Sequence, residues 1–263
     1  MPKELWKRYN GKDIMEKVIE IKNLTKTFRL SNRQLPFTKR LLRLFDFREG
    51  RKMIALDNIN LEIYKGDSLG IIGHNGSGKS TLLKLIIGAI EADQGSYIKT
   101  NGKIIRLALG MGFDNNLSAR DNIYLNGTIL GLTFIQIGEK FDEIIAFSEL
   151  EDFIDTPLKF YSSGMRSRLS FAIAIHAEAD IFLIDEFFGD VGDEMFKQKS
   201  QKAFENNLLK GKTIIHVSHS LELLLKQCDR IFVIEKGKGR LYNNPIDAIN
   251  DYKKNRLNLS KFD

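Results

Sequence analysis

Residues 73–81 read Gly-His-Asn-Gly-Ser-Gly-Lys-Ser-Thr and constrain the fold more than any other segment. They fit the pattern G-x-x-x-x-G-K-[ST], which binds phosphate groups when it lies between a strand and a helix. An apolar run at 68–72 precedes the pattern, and helical spacing at 81–87 follows it. We therefore predict a phosphate-binding loop that opens a helix, within an α/β fold.

The residue types in this loop suit a nucleotide. Glycines let several backbone N–H groups point at one phosphate chain, and the helix N-terminus adds its positive dipole end. We expect Lys79 to reach the β- and γ-phosphates and the Ser80 hydroxyl to bind Mg²⁺. The predicted binding residues of the loop are Gly73, His74, Asn75, Gly76, Ser77, Gly78, Lys79, Ser80 and Thr81.

Composition limits the class of protein. The 263 residues, 43% hydrophobic, suffice for one large α/β domain or two small ones. No apolar stretch approaches the roughly 18–20 residues that span a bilayer, and the polar residues 1–13 predict no secretory signal. The single cysteine, Cys228, fits a reducing cytosol, and the histidines show no zinc-ligand spacing. The net charge of +6 permits contact with anionic lipid or nucleic acid but demonstrates neither.

Two carboxylates follow a short apolar run at 181–184. Such a run predicts a buried parallel strand whose C-terminal end delivers Asp185 and Glu186 to the ligand crevice. We expect Asp185 to hold Mg²⁺ through water and Glu186 to orient and deprotonate the attacking water.

The remaining patterns alternate between strands and helices, which predicts a mainly parallel sheet covered on both faces. Further strands are predicted at 18–21, 53–63, 103–108 and 213–217, helical spacing at 118–160, 165–178 and 245–256, and a closing hairpin at 231–242.

Between the loop and the carboxylates lies Tyr161-Ser-Ser-Gly-Met165. It resembles the signature Leu-Ser-Gly-Gly-Gln of the ATP-binding subunits of ABC transporters, of which it keeps the second and fourth positions. The segment Thr213-Ile-Ile-His-Val-Ser-His219-Ser resembles the switch-histidine region of the same subunits. The resemblance covers about residues 18–242 and implies a parallel core with an antiparallel β subdomain and a helical subdomain at about 114–178. Residues 1–17 are expected to form a flexible extension.

This family resemblance implies further site residues. Ser162, Ser163 and Gly164 are expected to dock on the γ-phosphate of ATP bound by a second subunit, so that a homodimer buries two ATP molecules. Ser162 also fits simple helix capping, and both interpretations can hold together. His219 is expected to contact the γ-phosphate. Phe28 either stacks on adenine, as the family position implies, or belongs to the core.

A narrower resemblance is to exporters of surface polysaccharides and teichoic acids. It rests on Leu109-Gly-Met-Gly-Phe113, Leu117-Ser-Ala-Arg-Asp-Asn122 and Val191-Gly-Asp193. It implies an ATPase that drives export of a lipid-linked polysaccharide through a separate membrane permease subunit, on the cytoplasmic face of the membrane. No nucleic-acid partner is expected.

Two other functions stay open. One is the ATPase of another ABC transporter, such as an importer. Two features argue against it: the absence of a glutamine from residues 103–121 and the basic insert at 31–52. The other is a soluble ABC protein that acts on ribosomes or DNA, although such proteins usually join two ATPase units or carry a long coiled coil.

The sequence departs from the family pattern in two places. Residues 103–121 contain no Gln, which most ABC ATPases place near the γ-phosphate, and the nearby amide or acid side chains are those of Asp114, Asn115 and Asn116. The run after Asp185 is one residue longer than usual. Either Asp190 or Asp193 could therefore contact the opposite subunit, and the downstream Phe196 and Lys199 favour Asp193.

Residues 31–52 form a basic insert. Phe37, Leu41, Leu44 and Phe45 share one helical face, while Lys39, Arg40 and Arg43 lie off it. A basic amphipathic helix suits an anionic lipid surface or a lipid-linked phosphate. A solvated loop that rests on the core is the alternative.

Overall fold

The computed structural model describes residues 16–29, 52–108, 110–185, 193–206, 211–218 and 220–259. The strands in these ranges are β1 (Lys17–Arg29), β2 (Lys52–Tyr64), β3 (Ser68–Ile72), β4 (Tyr97–Thr100), β5 (Ile104–Leu107), β6 (Ile181–Asp185), β7 (Thr213–Val217), β8 (Arg230–Glu235) and β9 (Lys238–Tyr242). The α-helices are α1 (Lys79–Ile86), α2 (Ala119–Ile129), α3 (Phe134–Ser148), α4 (Ser163–Ala174), α5 (Glu194–Phe204), α6 (Leu221–Gln227) and α7 (Pro245–Leu259).

The larger sheet has the strand order β5-β6-β7-β3-β8-β9 within these ranges. Neighbours from β5 to β8 run parallel, and β9 runs antiparallel to β8. β6 is apolar and buried up to Asp185, as is typical of a parallel strand covered on both faces. Because parallel strands end at the same edge, the segments that follow β3, β6 and β7 begin side by side.

A smaller antiparallel sheet has the order β2-β1-β4. Its buried residues Ile19, Ile21 and Leu24 share a core cluster with Leu69 of β3 and Leu82 of α1. Burial of this apolar surface therefore fixes the smaller sheet and α1 against one face of the larger sheet.

Helices α2, α3 and α4 surround a second core cluster, which includes Ile123, Ile137 and Phe171. Each of these helices begins at a hydroxyl side chain that accepts a backbone N–H of the first turn. At α3 this is a full capping box, since Thr133 and Gln136 each accept a hydrogen bond from the backbone of the other. The helix starts therefore follow from local sequence.

Strand β6 separates the two clusters. Phe182 and Ile184 belong to the helical cluster, whereas Ile181 and Leu183 belong to the cluster around α1. Because successive side chains of a strand point to opposite faces, α1 and α4 lie on opposite faces of the sheet.

The predicted fold class is confirmed, and the predicted strands and final helix match β1–β3, β5–β9 and α7. The helix predicted at 165–178 ends earlier, at Ala174, because His176 and Ala177 donate to carbonyls three residues back and tighten the last turn. Strand β4 and helices α5 and α6 were not expected. Residues 1–15 and 31–51 lie outside the described residues, so the extension and the basic insert stay predictions. None of the described helices has the length and apolar character to cross a membrane.

The imidazole of His216 gives the fold a pH dependence. His216 is 2% exposed and lies between Gly70 of β3 and Ile184 of β6 in the register of the sheet. Burial lowers its pKa to about 4, whereas the unfolded chain takes up the proton at about pH 6.5. The unfolding free energy is therefore not reduced by protonation of His216 above about pH 6.5, and it falls as the pH decreases from about 6.5 towards about 4.

We predict that His216→Leu removes this part of the pH dependence. Between about pH 7.5 and about pH 5, the native chain should lose about 2 kcal/mol more unfolding free energy than the variant does. Urea unfolding at the two pH values measures both. An equal loss in both proteins would show that the imidazole is not held neutral.

Candidate active site

The loop between β3 and α1 has a backbone that only glycine permits at two positions. Gly78 has φ +116°, and a Cβ there would lie 2.7 Å from the carbonyl oxygen of Ala55. A Cβ at Gly73 would lie 2.5 Å from the Ser77 Oγ and closer still to the carbonyl oxygen of Ile234. The Cβ-less backbone can therefore curl tightly around a bound group.

The positive groups of the loop are arranged for a phosphate chain. The Lys79 ammonium donates to the carbonyl oxygens of Gly73 (2.6 Å) and His74 (3.1 Å), which holds its charge against the loop. Gly78 caps α1 without a side chain, so the cap gives the first-turn N–H groups no side-chain acceptor. Such N–H groups bind anions.

The other loop residues differ in exposure. His74, Asn75, Gly76 and Ser80 are exposed and Thr81 is half-buried, whereas Ser77 is buried and its Oγ has no hydrogen-bond partner among the described residues. The glycine cradle and the orphaned Ser77 hydroxyl fit a nucleotide phosphate chain.

A second segment supports the loop from behind. The N–H of Gly237, in the turn between β8 and β9, donates to the carbonyl oxygen of Ser77 (3.1 Å), and Asp57 of β2 donates its N–H to Gly237 (2.8 Å). The turn thus ties the loop to both sheets. Sequence reasoning missed Gly237, since nothing local signals this contact.

The carboxylate of Asp185 lies at the end of β6 and accepts a 2.7 Å hydrogen bond from Arg106 of β5. Glu186 follows it directly and lies outside the described residues, as does His219, two residues beyond the end of β7. Their predicted roles remain predictions.

The oxygen donors suit Mg²⁺ only together with a nucleotide. The described part of the chain holds no group of three or more His, Cys, Asp or Glu that could bind a metal. Mg²⁺ characteristically combines one or two carboxylates with phosphate oxygens and water. The Ser80 hydroxyl and the Asp185 carboxylate fit that pattern.

The Ser162 side chain begins α4. Its Oγ accepts the N–H of Met165 at 3.2 Å, so the capping interpretation is confirmed. Ser162 and Ser163 are exposed and Gly164 is half-buried. The positive end of α4 therefore faces solvent, on the sheet face opposite to α1.

Charged side chains connect α4 to the helix that follows the carboxylates. Arg168 of α4 pairs with Glu149 (2.9 Å) and with Asp193, and Glu149 also pairs with Lys199 of α5 (2.8 Å). Asp193 caps α5 by accepting the N–H of Phe196 (2.9 Å). This backbone bond and Arg168 hold the pKa of Asp193 below its usual value. Asp193 is thus engaged within its own chain, and Asp190 lies outside the described residues.

Two buried asparagines hold the loop that lacks a glutamine. The Asn122 amide donates to the carbonyl oxygens of Asp114, Leu117 and Ser118, and Asn126 donates to that of Met111. The loop at 110–117 is thus attached to α2.

Phe28 lies half-buried near the end of β1. The Lys26 ammonium lies 5.5 Å from the centre of its ring.

The ABC transporter family profile matches residues 56–189. The chain belongs to the ABC transporter family. It is 43% identical over 243 residues to the O-antigen export system ATP-binding protein RfbB of Myxococcus xanthus, covering 89% of this chain and 55% of that protein. It is 39% identical over 244 residues to the RfbB protein of Klebsiella pneumoniae, covering 91% of this chain and 98% of that one.

A third relative is the teichoic acids export ATP-binding protein TagH of Lactococcus lactis, 44% identical over 200 residues, which cover 76% of this chain and 42% of that protein. The chain thus spans about half the length of the Myxococcus and Lactococcus relatives. These matches confirm the resemblance to ATP-binding subunits of O-antigen and teichoic acid exporters.

Solved structures confirm the fold. A dimeric, post-hydrolysis ATP-binding cassette, MJ0796 with ADP and Pi, aligns with a TM-score of 0.64 and 21% identity, covering 86% of this chain and 98% of that one.

We predict that Gly73→Ala weakens ATP binding by about tenfold or more, since overpacking at this level costs about 1–3 kcal/mol. Gly138→Ala in α3 is the control, because its Cβ would meet only the Tyr124 hydroxyl, at 3.8 Å. Titration with a fluorescent ATP analogue measures both affinities. Native affinity in Gly73→Ala would mean that the loop does not hold the nucleotide.

Proposed function

We propose that this chain binds and hydrolyses Mg²⁺-ATP and thereby powers export of a lipid-linked surface polysaccharide through a separate membrane subunit. The observation that carries the proposal is the glycine loop with Lys79 at the same sheet edge as Asp185. The names of the relatives, O-antigen and teichoic acid export ATP-binding proteins, support the export class.

Each residue has a distinct part in hydrolysis. Lys79 and the first-turn N–H groups of α1 bind the phosphates and stabilise the charge that develops during transfer. Ser80 and Asp185 hold Mg²⁺, which when bound neutralises phosphate charge. Glu186 accepts the proton of the attacking water, and His219 contacts the γ-phosphate and orients that water.

The signature serves a second subunit. α1 and α4 lie on opposite faces of the sheet, so one chain does not bring its own Ser162 to the phosphates on its own Lys79. Two chains placed head to tail solve this, since the exposed positive end of α4 in one chain meets the γ-phosphate held by the other. The homodimer then encloses two ATP molecules.

We propose that the membrane subunit binds at the loop 110–117 and the adjacent helix α2, where three apolar side chains are partly exposed. Met111, Leu125 and Ile129 are 38%, 39% and 48% exposed. Such exposed apolar side chains favour a protein partner. Binding there places the chain at the cytoplasmic face of the membrane as a peripheral subunit. The basic residues of the segment 31–52 suit an anionic lipid-linked substrate by their charge.

We predict that Glu186→Gln keeps ATP binding but slows hydrolysis by about 10²-fold or more, the effect of losing a general base. Lys79→Ala should instead weaken binding itself, because the phosphate charge loses its counter-ion. Steady-state phosphate release and nucleotide titration of the purified proteins separate the two effects. Hydrolysis at the native rate in Glu186→Gln would remove Glu186 from the mechanism.

The same variant tests the export class in cells. Cells that carry only Glu186→Gln should retain lipid-linked glycan inside and lose it from the surface. Normal surface glycan beside a loss of another transported solute would assign the chain to a different ABC transporter.

We predict that ATP shifts Glu186→Gln protein from monomer to dimer, and that Ser162→Arg abolishes the shift by placing a bulky cation in the interface. Thr133→Arg is the matched control, because Thr133 also caps an exposed helix start, that of α3. Sedimentation with and without Mg²⁺-ATP measures the shift. Dimerisation that tolerates Ser162→Arg, or fails equally in Thr133→Arg, contradicts docking at the signature.

A further inference from the structure

Arg106 is a cation in the middle of the apolar strand β5. It pairs in register with Leu183 of β6, yet its guanidinium reaches along the sheet to the carboxylate at the end of that strand. Arg106 Nη2 lies 2.7 Å from Asp185 Oδ2, the distance of a charge-assisted hydrogen bond. The cation therefore lies on the carboxylate that the proposed function assigns to Mg²⁺.

The ion pair between Arg106 and Asp185 is partly buried. The side chains of Arg106 and Asp185 are 31% and 21% exposed, so water screens the pair only in part. The Nε of Arg106 is buried and has no hydrogen-bond partner among the described residues. An unsatisfied buried N–H is a cost, and the hydrogen bond from Nη2 to Asp185 is a favourable contact that the guanidinium makes among the described residues.

The same carboxylate oxygen cannot serve the guanidinium and the metal equally well. A guanidinium at 2.7 Å occupies Oδ2, and its positive charge repels a divalent cation brought to that site. With no metal present, the cation instead offsets the negative charge of Asp185, which would otherwise repel the nucleotide. Arg106 thus favours the metal-free site and opposes the metal-bound one.

We propose that Arg106 is a positioning residue that holds Asp185 until Mg²⁺-nucleotide arrives and then gives way, so that it sets how strongly Mg²⁺ is coupled to nucleotide binding. This inference rests on the proposed function. Arg106 then competes with Mg²⁺ for the Asp185 carboxylate. Since coupling is reciprocal, removal of the cation must change nucleotide affinity differently with and without the metal.

The test is the coupling ratio, the Kd of the β,γ-imido analogue of ATP in EDTA divided by its Kd in excess Mg²⁺, measured by calorimetry. Arg106→Met and Arg106→Gln should each raise the ratio by about five- to tenfold. Arg106→Lys, which keeps the charge, should stay within about twofold of the native ratio. In an Asp185→Asn background, Arg106→Gln should raise the ratio by less than it does in the native chain, because the ion pair is already broken.

Arg120→Met is the matched control. Arg120 of α2 pairs with Asp155 at 2.8 Å in an exposed ion pair away from β5 and β6, and its loss should leave the ratio unchanged. A thermal melt of each variant accompanies the titration, because a role in folding alone would lower Tm without changing the ratio.

The titrations distinguish a failure of the proposed Arg106 role from a failure of the proposed function. A native ratio in folded Arg106→Gln overturns the role of Arg106 and leaves the proposed function intact. A lower ratio also overturns it, since it would mean that the cation assists the metal or contacts the phosphates. A native chain that binds the analogue in neither condition contradicts the proposed function and this inference with it.

Discussion

Burial of one parallel sheet on both faces is the constraint on which the rest of the structure depends. Strand β6 contributes Ile181 and Leu183 to one core cluster and Phe182 and Ile184 to the other. Because side chains alternate between the two faces of a strand, β6 contributes to a core on each face, and helices pack on both. Because the strands are parallel, their carboxyl ends bring the loop after β3 and the acid after β6 to one edge.

The position of the helices on the sheet also explains why one chain alone does not complete the proposed ATP site. α1 and α4 lie on opposite faces, so the positive helix start beside Ser162 is separated from the loop that holds Lys79. In the proposed function a second copy supplies the missing contact, and nucleotide binding becomes an association between subunits. The ion pairs of Arg168 with Glu149 and Asp193 connect α4 to α5. The helix that is proposed to meet the nucleotide of the partner is thus attached to the start of α5.

The sequence predicts what depends on local chemistry. The loop between β3 and α1 was predictable because its backbone requires glycine at Gly73 and Gly78. The starts of α2, α3 and α4 were predictable from their capping side chains. Strand β6 was predictable from an unbroken apolar run that precedes a carboxylate. Contacts that depend on strand order were not predictable. The pairing of Arg106 with Asp185 requires β5 to lie beside β6, and the support of Ser77 by Gly237 requires β8 to lie beside β3. Strand β4 was missed because Tyr97, Lys99 and Thr100 are exposed and give little apolar signal.

Hydrogen–deuterium exchange of Glu186→Gln protein with Mg²⁺-ATP tests the central claim most directly, since it reports on the amides that would contact the nucleotide. Bound nucleotide should protect amides 74–81 at every protein concentration. Amides 162–166 should be protected only at concentrations at which the chain dimerises. Protection of 162–166 in dilute monomer would contradict the two-chain arrangement, and an unprotected loop at 74–81 would contradict nucleotide binding there.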